Sequence, residues 1–329
     1  MKICIVKLSA MGDIIHAMVA LQFIKQELPD SRIDWVVEST FTGVLQNNPH
    51  IDNILPINLK AIKKKKSEIF TQYKILKKYS KNNYDIVIDA QGLLKSAIVS
   101  KIIGAKTIAG FNKDSIREGI ASIFYNKTVK IAYDENTIDR NVRVICEPLG
   151  IDSTAQKILN KERFLFSSSI VPNLDEGFNI FVIGSTWESR NYPKEKFVEL
   201  ADKLEVKTYI VWGSEEEHKK ALWMQEQSEY LYILPKGGLD ELKYVISKSN
   251  LLIGNDTGPT HMAWGLNIPS VTIFGPTPTN RVYVTPVNKV VKSDSEVNHY
   301  KLNKNDFSIK DIAVEDIVKL AQELDESKH

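Results

Sequence analysis

Two cysteines in 329 residues are too few for a disulfide framework, and Cys4 and Cys146 lie too far apart for a zinc-ligand spacing. Both sit in apolar settings, so buried thiols in a reducing compartment are expected. No stretch approaches the roughly 18 uninterrupted apolar residues of a membrane span. The opening residues 1–8 have too short an apolar core for a signal peptide and read as a first strand. The expectation is a cytoplasmic protein. The chain also has no Gly-x-Gly-x-x-Gly and no P-loop, which removes the main sequence sign of a nicotinamide, flavin or P-loop nucleotide site. It has no Asp-x-Asp, and its six histidines are scattered, so no metal is expected. Internal repeats of solenoid length are missing, and the only low-complexity tract is 63–66.

What the chain has is length and alternation. It is long enough for two domains of about 150 residues, each with its own core. Short β-rich runs at 2–8, 33–38, 53–57, 85–89 and 107–110 alternate with helical periods at 14–27, 68–78 and 93–103. Periodicity is lost over 166–175, which reads as a linker. Strands resume at 179–183, 208–212, 230–234, 250–253 and 270–274, again separated by helices. This pattern predicts an α/β protein of two doubly wound, Rossmann-like domains, 1–166 and 176–329, facing a central cleft. The final helical period, 312–324, is free to return to the first domain. Ligands of such sheets bind beyond the C-terminal ends of the strands.

Charge is unevenly divided. Residues 1–150 carry 22 Lys and Arg against 15 Asp and Glu, and the remainder carries 21 against 26. A basic first half suits an anionic partner. The lysine tract has no interleaved aromatics and the second half is acidic, which argues against nucleic acid.

Four segments fall at expected strand-to-helix turns. The first, Lys7-Leu8-Ser9-Ala10-Met11-Gly12-Asp13, puts a flexible glycine and a carboxylate beyond the first strand. Asp13 reads either as a helix N-cap or as a general base for an attacking hydroxyl. In the second, Asp89-Ala90-Gln91-Gly92-Leu93-Leu94-Lys95-Ser96, Gln91 and Lys95 can reach a polar or anionic ligand. The third, Gly184-Ser185-Thr186-Trp187-Glu188-Ser189-Arg190, pairs two hydroxyls with a cation, a plausible phosphate cradle. The fourth, Gly254-Asn255-Asp256-Thr257-Gly258-Pro259-Thr260-His261, opens a helix whose unpaired amides suit a diphosphate. Its bland alternative is a helix capped by Asp256 or Thr257.

Together with Arg117-Glu118 before Ala121-Ser122-Ile123-Phe124-Tyr125-Asn126, these motifs resemble the bacterial lipopolysaccharide heptosyltransferases, most closely their heptosyltransferase I branch. The likeness runs from residue 5 to about 280, with the motifs in the same order and at similar separations. The resemblance implies a GT-B fold and an inverting, metal-independent transfer of L-glycero-D-manno-heptose from ADP-heptose to the Kdo of Kdo-lipid A. It places Asp13 on the proposed base. Gly12, Ser185, Thr186, Arg190, Asp256, Thr257, Gly258 and His261 fall on the donor side, with Glu217 at the ribose. Lys60, Lys63 and Lys64 match a basic loop for the acceptor's anionic groups, joined by Gln91, Lys95 and Arg117. The chain departs from the family pattern at Arg190, where relatives have lysine, and at Ser185-Thr186, where they have two threonines. Lys236-Gly237 replaces a bulkier side chain where the adenine would lie. The implied partners are the sugar nucleotide and Kdo-lipid A, with no cofactor and no obligate protein partner. The implied location is the cytoplasmic face of the inner membrane, held peripherally. Competing readings are a transferase for a later heptose or another sugar nucleotide, a GT-B-type sugar-nucleotide epimerase, and a non-catalytic nucleotide-sugar-binding protein.

Overall fold

The computed structural model describes residues 1–172 and 174–326. The chain divides into two compact units, the first Met1–Phe164 and the second from Leu165 onward. The first carries strands β1 (Lys2–Val6), β2 (Arg32–Glu38), β3 (Asn53–Ile57), β4 (Tyr84–Asp89), β5 (Ala105–Phe111) and β6 (Lys127–Val129). They form one sheet in the order β3-β2-β1-β4-β5-β6, with every neighbouring pair parallel. The second carries β7 (Asn179–Val182), β8 (Thr208–Val211), β9 (Leu231–Ile233), β10 (Leu251–Asn255), β11 (Ser270–Phe274) and β12 (Asn288–Lys292). Their order, β12-β11-β10-β7-β8-β9, repeats the same topology, again all parallel.

The strands form where apolar runs are unbroken. Ile3, Cys4, Ile5 and Val6 of β1 are fully buried, as expected of a parallel strand covered by helices on both faces. Cys4 and Cys146 are both buried free thiols. Cys4, Val6, Val36, Leu55, Leu76 and Val87 share one core of the first unit. Phe181, Phe197, Ile210, Met224, Ile253 and Ile273 share that of the second.

Four features differ from the sequence expectation. The short edge strands β6 and β12 were not expected, because three residues in one and a lysine-flanked run in the other carry little apolar signal. The helix expected over 14–27 is two, Met11–Met18 and Ala20–Glu27, meeting at Val19. The stretch expected as a linker opens the second unit and is tied down there. Ser167 Oγ donates to the Asp240 carbonyl at 2.8 Å and Ser169 Oγ to the Asp240 carboxylate at 2.7 Å. The last helix, Val314–Glu326, belongs to the second unit rather than the first, because Ile317, Ala321 and Leu324 complete that unit's core.

Each sheet reverses its strand order once, between β1 and β4 in the first unit and between β7 and β10 in the second. At such a switch point the following connections leave in opposite directions and open a crevice beyond the strand ends. All four motif segments lie at these two places.

Candidate active site

In the first unit the crevice is built by the turns after β1 and β4. Gly92 has φ +69°, a left-handed conformation that glycine adopts without strain, and a Cβ there would strike Ile116 and Phe111. That tight turn lets the Asp89 carboxylate accept from the amides of Gln91 (2.9 Å) and Gly92 (3.1 Å). Tyr125 OH donates to its other oxygen at 2.7 Å. Burial raises the Asp89 carboxyl above the usual range, and these hydrogen bonds pull it partly back. Gln91 Oε1 in turn accepts from the amides of Leu8 and Ser9, each at 3.0 Å, so the second motif braces the first. Lys7 is buried and donates to the Ala90 carbonyl at 2.8 Å. Burial lowers its pKa, against the pull of Asp13 and Asp89.

Asp13 stands on this braced turn, in the first turn of the helix Met11–Met18. It is half-buried, and its carboxylate accepts from the Ala10 amide at 3.3 Å. Asp13 is therefore not the N-cap residue, which is Ala10, and it only reaches back to the N-cap amide through one long bond. Glu38, at the end of β2 beside this turn, is buried with Oε2 unpartnered. Burial pushes its carboxyl up, while the charges of Lys60 and Lys95 pull it down.

The tract expected as a basic loop is partly helical. Lys60, Lys63 and Lys64 lie on the helix Leu59–Lys64, whose start is capped by Asn58 accepting from the Ala61 amide at 3.0 Å. All three are exposed, as are Lys95 and Arg117. Gln91 faces a different task from the one expected, since its carbonyl oxygen serves the Leu8 and Ser9 amides.

The second unit's crevice gathers the turns after β7, β10 and β11. Asp256 is buried and accepts from three directions. Arg190 Nη2 meets its Oδ2 at 2.7 Å, Thr277 Oγ1 donates to Oδ2 at 3.1 Å, and His261 Nε2 lies 3.1 Å from Oδ1. Arg190 also donates to the Asp256 carbonyl. Burial opposes ionisation of Asp256, but the His261 hydrogen bond and the charges of Arg190 and Arg281 outweigh it. Its carboxyl sits well below the ordinary range. Burial lowers the pKa of Arg190, with Asp256 countering it.

Asp256 does not cap the helix Gly258–Leu266. Thr257 is the N-cap residue, and its hydroxyl makes no capping bond. The β10 asparagine, Asn255, locks the neighbouring turn, donating to the Ile183 carbonyl at 2.8 Å and accepting from the Tyr192 amide at 3.0 Å. The turns after β7 and β10 are thus one unit. Around these turns the donors Ser185 Oγ, Ser189 Oγ, Arg190 Nε and Arg281 Nε, and one acceptor, Asn191 Oδ1, are buried without a partner among the described residues. Buried polar groups demand partners, so a site lined by unanswered donors is built for an acceptor-rich ligand. The Glu217 carboxylate lies close over Gly184, in space that a side chain there would otherwise share. That carboxylate accepts from the Gly213 amide at 2.6 Å and lies against the β7 turn. Beyond it, Trp212 stacks on His218 with centroids 4.1 Å apart, and Lys236 Nζ lies 4.9 Å from its ring.

Known proteins match the chain that carries these turns. The family model for glycosyltransferase family 9 (heptosyltransferase) matches residues 72–311. The chain belongs to this family. Lipopolysaccharide heptosyltransferase 1 of Campylobacter coli is 37% identical over 344 aligned positions, which cover 98% of this chain and 99% of that one. The enzyme of the same name from Escherichia coli K12 is 28% identical, covering 92% of this chain and 97% of that one. Among solved structures, E. coli heptosyltransferase WaaC with ADP-2-deoxy-2-fluoro heptose matches with a TM-score of 0.81 and 25% identity, over 98% of this chain and 99% of that chain. E. coli ADP-heptose lps heptosyltransferase II, at 19% identity and a TM-score of 0.76, shares the fold. The architecture is therefore that of the GT-B glycosyltransferases, and this family-9 chain is a glycosyltransferase.

Sequence reasoning missed Thr277, Arg281, Glu38 and Trp212. Arg281 sits in the short helical turn Thr279–Arg281 after β11. Its sequence signal, a cation just past Gly275-Pro276 at a strand end, was available. Glu38 ends an apolar run, which gives no sign that its carboxylate stays buried.

Proposed function

We propose that this chain transfers L-glycero-D-manno-heptose from ADP-heptose to the Kdo of Kdo-lipid A, in a single inverting displacement. The observation that carries the reading is the set of unanswered buried donors around Asp256, at the N-terminus of the helix Gly258–Leu266. A sugar nucleotide brings its own leaving group, a diphosphate that gains negative charge as the glycosidic bond breaks. Ser185, Thr186, the amides at Thr257 and Gly258, and the cation Arg190 suit that charge. Asp256 and His261 hold Arg190 and the turn in place, and Glu217 suits the ribose hydroxyls. The name of the Campylobacter relative, found over nearly the whole chain, supports the choice of heptose.

In this reading Asp13, with Gly12 beside it, takes the proton from the acceptor hydroxyl as that oxygen attacks the anomeric carbon. The bond to the diphosphate breaks, ADP leaves with the electron pair, and the configuration inverts. No second carboxylate is needed as a nucleophile. Lys60, Lys63, Lys64, Lys95 and Arg117 meet the acceptor's carboxylates and phosphates, and Gln91 contributes through the turn it braces. The chemistry calls for no metal or other cofactor. Among the described residues no helix is long and apolar enough to cross a membrane. A lipid-borne acceptor goes with peripheral work at the cytoplasmic face of the inner membrane.

The deciding experiment mixes ADP-heptose with Kdo-lipid A and measures ADP and glycolipid product. ADP release that depends on the acceptor, with one heptose added, is the expected result. Release without acceptor, isomerisation of the donor, or binding without turnover would each replace the reading with one of its competitors.

A further inference from the structure

Large exposed apolar side chains are scattered over the second unit but grouped in the first. Apart from Met1 and Leu159, those of the first unit are Ile69, Phe70, Tyr73, Leu94, Ile98, Ile120 and Ile123. They lie on three elements packed side by side, the helices Glu68–Tyr79 and Leu94–Ile103 and the short helical segment Gly119–Phe124. The spacing makes them one surface. Ile69, Phe70 and Tyr73 share a face of the first helix, and Leu94 and Ile98 are one turn apart on the second. Ile120 and Ile123, three residues apart, superpose along a 3-10 segment. Phe70 is 70% exposed and Ile123 72%. Such grouping marks an interaction surface, not random exposure.

Its surroundings are basic. Lys63, Lys64, Lys65 and Lys66 precede the first helix, Lys74 and Lys77 lie on it, and Lys95 and Lys101 lie on the second, all exposed. The elements Leu94–Ile103 and Gly119–Phe124 follow β4 and β5 and begin at the C-terminal edge of the sheet, the edge that carries Asp13. Apolar tips inside a collar of lysines fit an anionic bilayer, where the tips enter the acyl boundary and the lysines meet lipid phosphates. A protein partner of matching chemistry would need an acidic, greasy face, and a second copy of this chain is an outcome that the test below separates.

We propose that this flank of the first unit inserts shallowly into an anionic lipid surface and so holds the strand-end edge at the level of lipid headgroups. The choice of a membrane leans on the lipid-borne acceptor of the reading above, so the test contains neither donor nor acceptor. The full chain is floated with vesicles of phosphatidylethanolamine and phosphatidylglycerol, and with phosphatidylcholine alone. Binding is expected to the anionic vesicles and to fall steeply with salt. Phe70→Ser with Ile123→Ser should weaken it by on the order of tenfold per side chain. Lys74→Gln with Lys101→Gln should weaken it by about fivefold per lysine and flatten the salt dependence. Phe70→Trp with Ile123→Trp should strengthen it and blue-shift the new tryptophan emission on vesicle addition. Wild-type chain that stays in solution, serine variants that bind like wild type, or tryptophan variants that neither bind tighter nor shift would overturn the proposal. So would a wild-type dimer that the serine pair converts to monomer, which would make this face a contact between copies. Vesicle binding through this surface without heptose transfer would leave the inference standing and defeat the functional reading alone.

Discussion

The two switch points are built on the same plan and hold their carboxylates in opposite ways. In each unit a buried aspartate at the end of the fourth strand organises its neighbours: Asp89, the last residue of β4, collects Gln91, Gly92 and Tyr125, and Asp256, just past β10, collects Arg190, His261 and Thr277. In each, the turn after the first strand is left to present chemistry, Asp13 in one and Ser185-Thr186 in the other. Asp13 is half-buried with one 3.3 Å bond, while Asp256 is buried and fully engaged. The Asp256 carboxylate is committed to its three partners, whereas that of Asp13 keeps most of its hydrogen-bonding capacity for a ligand. On the proposed mechanism the same topology separates scaffold from reagent.

The largest effect should come from removing the reagent. Asp13→Ala is expected to lower turnover about a thousandfold, the middle of the range for a general base. ADP affinity and melting temperature should stay near wild type. Normal turnover in that variant would erase the contrast between the two carboxylates. Several degrees of lost melting temperature with activity intact would make Asp13 a helix cap only.

Removing the scaffold should look different. Asp256→Ala leaves the largely buried Arg190 without its counter-charge, at a cost of about 3–5 kcal/mol in stability. For a unit of this size that is roughly 10 °C in melting temperature. ADP titration should weaken in Asp256→Ala and, to a smaller degree, in His261→Ala. If both variants bind ADP as wild type does, the donor site lies elsewhere.

This division of labour was only partly legible in the sequence. Parallel strands buried on both faces leave near-continuous apolar runs, and ten of the twelve strands, the edge strands β3 and β9 among them, stood out. β6 and β12 did not, because lysine breaks or flanks their few apolar residues. The motifs marked which turns matter, but not which carboxylate would be paired. The partners of Asp256 include Arg190, 66 positions away, and Thr277, 21 away, and only the parallel packing of β7, β10 and β11 brings them together. The bracing role of the Gln91 carbonyl oxygen was not legible, because a ligand-facing amide and a bracing amide read alike in one dimension.

Acid should drive the two buried aspartates apart. The Asp256 carboxyl is depressed in the folded state, so its contribution is fully present above about pH 4, the unfolded value, and is lost as pH falls below it. Asp89 is raised by burial, so the folded state binds its proton first. Between that raised value and about pH 4, falling pH stabilises the first unit. Amide exchange followed separately on β4 and β10 from pH 6 to pH 3 measures this. Protection should fall faster in β10, and Asp256→Asn should remove most of the difference. Parallel loss in both strands, unchanged by that substitution, would mean that the two carboxylates do not differ as their surroundings imply.

The smallest effect, and the one that probes the exposed half of the comparison, concerns Lys60, Lys63 and Lys64. These side chains are exposed on and near a six-residue helix. Charges in such a setting act over only about 8 Å at physiological salt. Changing all three to alanine should raise the acceptor's Michaelis constant, with each lysine worth up to about 1 kcal/mol against an anionic surface. The donor's constant should hardly move. In wild type the acceptor constant should climb with ionic strength, and the triple variant should climb less, because the screened charges are gone. Lysines that serve solubility alone would leave both constants and the salt response as they were. An equal rise in donor and acceptor constants would point to a collapsed helix at Leu59–Lys64, which circular dichroism and the restored kinetics of a triple arginine variant would separate from lost acceptor contact.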